Sequence, residues 1–203
     1  MENNNVTHKD LDMENNNVTH KDLDMKNNNI THKELDDRVV IIDNVLPEAE
    51  FVELRRVVEE GHWAYVSKPV DILGKPTPYF QFVQLMYGQD VPLSPQFAAV
   101  ADATLDILPG FQSLIRIKAN LITYSLSPLP TPALMGYHVD HDLVGATTAI
   151  LYLSTSDAPT YFKDGTTIEC VSNRLVAFPS EIMHSSSIQS DIKARMVINF
   201  NYF

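Results

Sequence analysis

Apolar positions follow two different periods along the chain. Val39 to Ile42 is a compact β-branched run, and Asp43-Asn44-Val45-Leu46-Pro47 ends it and supplies helix-start chemistry. Phe51, Leu54, Val57 and Val58 then return at helical spacing as far as Glu60. A second helix is predicted over 94–108, closed by Pro109-Gly110, with a strand over 79–86 between the two helices. From Leu114 the period drops to two. Strands are predicted over 114–125, 134–140, 146–154, 160–164, 166–170, 174–178 and 194–202, separated by loops of Pro, Ser, Asp and Gly. In the last of these, Arg195, Val197, Asn199 and Asn201 share one face, and Met196, Ile198, Phe200 and Tyr202 share the other. In 114–124, Ile115, Ile117, Ala119 and Leu121 oppose Arg116, Lys118, Asn120 and Tyr124. Each strand has an apolar face to pack and a polar-studded face to line a cavity or meet solvent. Helices first and many short strands after predict an α+β, mainly β domain, with the N-terminal helices packed against one sheet of a jelly roll or barrel.

The first 36 residues have neither period. Residues 1–12 and 13–24 are both MENNNVTHKDLD, and 25–36 is the near copy MKNNNITHKELD. Each unit offers a Val or Ile, a Leu and a Met among Asn, Asp and Lys, too little burial to offset the entropy of ordering it. The expectation is a flexible, functionally silent threefold repeat over 1–36 and a folded domain over 37–203. A weak helical arm, or a metal-binding tail using His8, His20 and His32, is the sharper alternative; three histidines twelve apart on a floppy chain would hold a metal poorly.

Charge and cysteine content narrow the function. The chain has 26 acidic and 15 basic residues, a net charge of −11, and the acidic excess persists without the repeat. Such a chain has no general electrostatic footprint for phosphate backbones, so no nucleic-acid partner is expected. No run approaches the ~18 apolar residues of a membrane span. The Met-Glu-Asn-Asn-Asn start lacks the basic and apolar regions of a secretory signal, so the expected location is the cytoplasm. Cys170 is the only cysteine, which excludes an intrachain disulfide and a thiolate zinc site. The oligomeric state is not legible.

His-x-Asp occurs three times, as His8-Lys9-Asp10, His20-Lys21-Asp22 and His138-Val139-Asp140. The first two lie in the polar repeat. The third follows Leu134-Met135-Gly136-Tyr137 and precedes the strand Thr147–Leu153. Residues two apart in an extended segment point the same way, so His138 and Asp140 can converge on one ion while Val139 and His141 face away. Outside the repeat the other histidines are His62 and His184, and His184 is followed by Arg195 at the head of the closing strand. Two His and one carboxylate leave three positions open on an octahedral ion, the facial triad of non-haem Fe(II) oxygenases. Zinc hydrolases can use the same ligand types, so ligand identity alone leaves the metal open.

The stretch from Tyr137 to Phe203 resembles the 2-oxoglutarate/Fe(II)-dependent oxygenases, in particular the prolyl 4-hydroxylase-like branch and its short bacteriophage-encoded forms. The residues that carry it are His138-Val139-Asp140, Thr147 to Leu153, Asp164-Gly165, Asn173 to Pro179, His184 and Arg195. Less specifically, it reaches back to the opening VVIIDNVLP and the helix after it. The resemblance implies a distorted double-stranded β-helix (jelly roll). It implies Fe(II) held by His138, Asp140 and His184, with 2-oxoglutarate and O2 as co-substrates and ascorbate as a candidate reductant. Arg195 matches the residue that pairs with the distal carboxylate of 2-oxoglutarate; collagen-type prolyl 4-hydroxylases use Lys there. Tyr152 and Tyr124 match tyrosines that help bind the co-substrate. The implied activity is C–H hydroxylation of a small-molecule or peptide substrate, with peptidyl proline suggested and a free amino acid, another metabolite or a nucleobase left open. If the gene is phage-borne, the location would be the bacterial host cytoplasm. A metal-binding jelly roll without turnover is the alternative from another class. Of the remaining residues, Arg116 and Lys118 read as solvated strand charges, with the lining of a substrate groove, or the hold on the distal carboxylate should Arg195 not supply it, as the alternatives; Trp63 and His62 read as packing after the first helix, and Cys170 as buried and inert. Asn120 is a weaker candidate for co-substrate or substrate contact.

Overall fold

The structure, a computed structural model, describes residues 38–67, 79–124, 136–140 and 142–203. The repeat with its three histidines, His141, Leu134, Met135 and the Pro-rich connection over 125–135 lie outside the described residues.

The chain opens with β1 (Val40–Asp43) and α1 (Glu48–Glu59). Asn44, at φ 51°, makes the break between them. Helix α1 has Glu48 and Glu50 in its first turn and Arg56 in its last, matching the helix dipole, and it buries Phe51, Leu54 and Val58. After it come β2 (Ala64–Val66), β3 (Gln81–Gly88), β4 (Val91–Pro92), α2 (Phe97–Thr104) and a 3₁₀ turn over Leu105–Ile107. The β-rich half contains β5 (Leu114–Thr123), β6 (Thr147–Tyr152), β7 (Ser156–Phe162), β8 (Thr167–Cys170), β9 (Arg174–Pro179), β10 (His184–Ser185) and β11 (Ala194–Tyr202). None of the described helices is long and apolar enough to cross a membrane.

All strand pairs are antiparallel. The larger sheet runs β1-β9-β6-β11-β5-β3-β2, with β4 pairing β3, and the smaller sheet runs β10-β7-β8. The alternation in β11 decides how they stack. Met196, Ile198, Phe200 and Tyr202 join Leu151, Ile117 and the apolar stripes of the two helices in one core. On the opposite face Val197, Ile150, Tyr152 and Val176 meet Phe162 and Ile168 of the smaller sheet in a second core. The result is a mainly β jelly roll with helices on the outer face of the larger sheet, as the sequence pattern predicts.

Boundaries differ in physically readable ways. The segment expected as a strand over 134–140 is, in its described part, irregular apart from one β-bridge at His138. The second helix is shorter than 94–108, tightening into the 3₁₀ turn. Strand β7 starts at Ser156 rather than 160 because Pro159 falls where the register with β8 shifts, the kind of site that tolerates a residue without an N–H. Strands β2, β4 and β10, of two or three residues, carry too few alternations to be read. The turn at Asp164-Gly165 forms as expected: Gly165 takes φ 94° and the Asp164 carboxylate accepts from the Thr166 N–H at 2.8 Å.

Candidate metal centre

His138, Asp140 and His184 come together at the mouth of the space between the sheets, with one ligand atom from each within 4.8 Å of the others. The backbone brings the two histidines together before any metal is considered. His138 donates its N–H to the His184 carbonyl at 2.9 Å, and His184 returns the bond at 3.0 Å. Their rings lie 4.6 Å apart. Phe178 meets the His184 ring edge-on at 4.9 Å and walls it off. The side chains of Asp140 and His184 are only 4% and 3% exposed, whereas His138, 37% exposed, forms the rim.

Each histidine has its Nδ1 against a main-chain carbonyl, that of Gly136 at 3.4 Å for His138 and that of Ile182 at 3.1 Å for His184. A proton on Nδ1 is held there, which leaves the Nε2 lone pair free on the side facing Asp140. Nε2 of His184 is 3.7 Å from Oδ2 of Asp140, and Nε2 of His138 is 4.0 Å from Oδ1. Oδ2 is buried and has no hydrogen-bond partner, the signature of a carboxylate oxygen awaiting a cation. Desolvation, reinforced by neighbouring His184, pushes the His138 pKa down to about 4, so the ring is a neutral donor at neutral pH. Burial would raise the Asp140 pKa, but the electrostatic influence of the neighbouring His184, His138, Arg116 and Lys118 outweighs it and holds the carboxyl below its ordinary value. The donor set fits a divalent ion with positions to spare.

Deeper between the sheets, Arg195 is 3% exposed and no carboxylate of the described residues pairs with it. Its Nε has no acceptor, and one terminal nitrogen reaches the Thr160 hydroxyl at 3.5 Å. The guanidinium carbon lies 5.6 Å from the centre of the Tyr152 ring, and the Tyr152 hydroxyl bonds that of Thr160 at 2.7 Å. A buried cation with an unpaired donor has the chemistry to hold an anion, as the unpaired Oδ2 has the chemistry to hold a cation. Thr160, which joins the two expected residues, was missed; its signal is its inward phase with Ala158 and Phe162.

Tyr124 lies just past the end of β5, 44% exposed, with its backbone N–H bonded to the Lys193 carbonyl. Among the described residues no hydrogen bond or ring contact joins it to Arg195 or Tyr152. Arg116 and Lys118 are not solvated strand charges: their face of β5 turns toward the metal triad. Arg116 bonds Asp140 at 3.1 Å, and burial, with Arg116 alongside, lowers the Lys118 pKa. Trp63 packs on the helix-side core as expected, whereas His62 is exposed. Cys170 is buried against the Ser154 carbonyl at 3.1 Å.

No protein-family model matches the sequence, and no curated protein matches it either. The fold is shared with solved structures of 2-oxoglutarate/Fe(II) oxygenases. One is a prolyl hydroxylase from Trichoplax adhaerens, in complex with a peptide fragment of the hypoxia inducible factor oxygen degradation domain. It is 12% identical with a TM-score of 0.57, covering 83% of this chain and 84% of that one. A 2OG-Fe(II) oxygenase family oxidoreductase from Burkholderia pseudomallei is 10% identical with a TM-score of 0.55, covering 81% and 85%. HygX from Streptomyces hygroscopicus, with nickel and 2-oxoglutarate bound, is 13% identical with a TM-score of 0.52, covering 81% and 82%.

Proposed function

We propose that this chain is a 2-oxoglutarate/Fe(II)-dependent dioxygenase that couples oxidative decarboxylation of 2-oxoglutarate to hydroxylation of a substrate C–H bond. The observation that carries the reading is the pairing, in one inter-sheet space, of a His-Asp-His triad with a buried arginine that has no carboxylate partner among the described residues. In this reading His138, Asp140 and His184 hold the metal. Iron bound there, together with 2-oxoglutarate and O2, supplies the oxidising power for C–H hydroxylation, with succinate and CO2 as the other products.

The chain's own residues do the rest. Arg195 offers its unpaired Nε and a terminal N–H as a fork for the distal carboxylate of 2-oxoglutarate. Thr160 fixes the Tyr152 hydroxyl beside that fork, while the Tyr152 ring supports the guanidinium face. Ile150, Val176, Val197 and Phe178 form an apolar wall that keeps water from the reacting centre. A peptidyl proline is the first substrate to test, since one neighbour in fold is a prolyl hydroxylase in complex with a peptide.

The test is an anaerobic titration. Fe(II)-loaded protein should develop the visible charge-transfer band of the chelate when 2-oxoglutarate is added, and should then release succinate under O2 with a proline-containing peptide. Folded, iron-loaded protein that gives no band would favour the metal-binding jelly roll without turnover.

A further inference from the structure

The two oxygens of the Asp140 carboxylate stand in different circumstances. Oδ2 is buried and unpartnered beside His184, whereas Oδ1 accepts from Nη2 of Arg116 at 3.1 Å. Arg116 is itself tethered. Its Nε donates to Oδ1 of Asn201 at 2.9 Å, and Nδ2 of Asn201 donates to the Thr148 hydroxyl at 3.0 Å. The Thr148 hydroxyl in turn bonds that of Ser180 at 2.9 Å. Asn201, Thr148 and Ser180 are fully buried. Arg116, Asn201 and Thr148 face one another across β5, β11 and β6, at the registers Arg116↔Asn201 and Asn201↔Thr148. A satisfied buried chain of this kind has little freedom to rearrange, so it holds the guanidinium in one place.

That arrangement bears on how the carboxylate can bind an ion. A free carboxylate can offer one oxygen or both. One whose Oδ1 already accepts a charge-assisted hydrogen bond has a lone pair and part of its charge committed there, and its orientation set by that bond, which makes Oδ1 the poorer second ligand atom. We propose that Arg116 is a positioning residue of the metal centre: by holding Oδ1 it makes Asp140 a one-oxygen ligand through Oδ2. It thereby keeps open a coordination position that a two-oxygen carboxylate would take. The inference rests on the metal-centre reading above. Arg116 needs no contact with the ion or the substrate. It acts through Asp140, and Asn201, Thr148 and Ser180 act through it.

The experiment uses Mn(II) as the probe and the water-proton relaxation rate per bound ion as the readout, on the full chain. Three single-atom protein donors on a six-coordinate ion leave three water positions, and a two-oxygen Asp140 leaves two. Arg116→Ala should therefore lower the inner-sphere relaxivity per bound Mn(II) by about one third. Arg116→Lys, which keeps a cationic donor without the fork, should recover part of the loss. If Arg116→Ala does not fold, Arg116→Gln is read the same way. A merely structural role would change melting temperature or affinity while leaving the relaxivity per bound ion unchanged. Variants that bind Mn(II) with wild-type relaxivity would overturn the role of Arg116 alone. Wild-type protein that binds no Mn(II) would overturn the metal centre, and the positioning role with it.

Discussion

Arg195 and His184 are both buried side chains, and they should fail differently. If the proposed centre holds iron, His184→Ala removes one of its three protein ligands, and equilibrium dialysis should find no retained iron. Arg195→Ala removes no ligand, so iron should stay while 2-oxoglutarate binding weakens. Losing a charge-assisted partner from a carboxylate costs about 2–5 kcal/mol, a loss of affinity of roughly 30-fold or more. Arg195→Lys should fall between, because the ammonium restores charge without the fork. The 2-oxoglutarate dependence of succinate formation checks both; a wild-type dependence in Arg195→Ala would move the co-substrate elsewhere. A pH effect follows from His138. Its pKa is about 4 in the folded chain against an ordinary 6.5, so below pH 6.5 the unfolded chain takes up a proton that the folded chain refuses. Metal-free protein should therefore lose stability as pH falls from 6.5 toward 4 and lose no more through this group below that, which denaturant melts at stepped pH would register. At this scale the His-x-Asp spacing pointed to two residues that the structure does bring together with His184, although their segment is irregular rather than the strand that the alternation suggested. The sequence was a poor guide to Arg116 and Lys118. Alternation assigns a residue to a face, but whether that face meets water or a second sheet depends on where distant strands stack.

Strand β9 begins at a junction that ties two elements together. Asn173, at φ 61°, donates through its side-chain amide to the Leu46 carbonyl at 2.8 Å and accepts from the Leu46 N–H at 3.1 Å. One residue on, Arg174 forms a two-pronged pair with Asp43 at 2.5 and 2.9 Å, across the β1–β9 register. Together they fix the entry to α1. Asn173→Ala should cost about 3 kcal/mol, since it leaves two buried backbone groups unpaired in a backbone conformation that Ala disfavours. Urea unfolding would measure it, and a cost below 1 kcal/mol would show that the loop finds other partners. The sequence marked Asn173-Arg174 only as a strand entry, because its partners lie more than a hundred residues away. Strands with four or more alternations, such as β5, β6 and β11, were legible. Strand β10, which presents His184, has two residues and exists only because His138 and β7 supply its bonds.

Across the whole molecule, the larger sheet serves two cores at once, and the metal triad lies at the edge of the second. The repeat carries no core-forming apolar pattern in its sequence. Deleting residues 1–24, or 1–36, should leave melting temperature and iron stoichiometry unchanged, and a large drop in either would show that the repeat belongs to the folded unit. The class of fold was legible because the period changes from helical to two at Leu114. Which face the helices cover followed from the apolar phase of β11. The mutual backbone bonds of His138 and His184 carry one further consequence. An ion held by both rings would bind only when those two amides are closed, so metal occupancy and the closing of that backbone link become a single equilibrium. In deuterated water the His138 and His184 amides should exchange more slowly as Mn(II) is added, with a slowing factor of about 1 + [Mn(II)]/Kd.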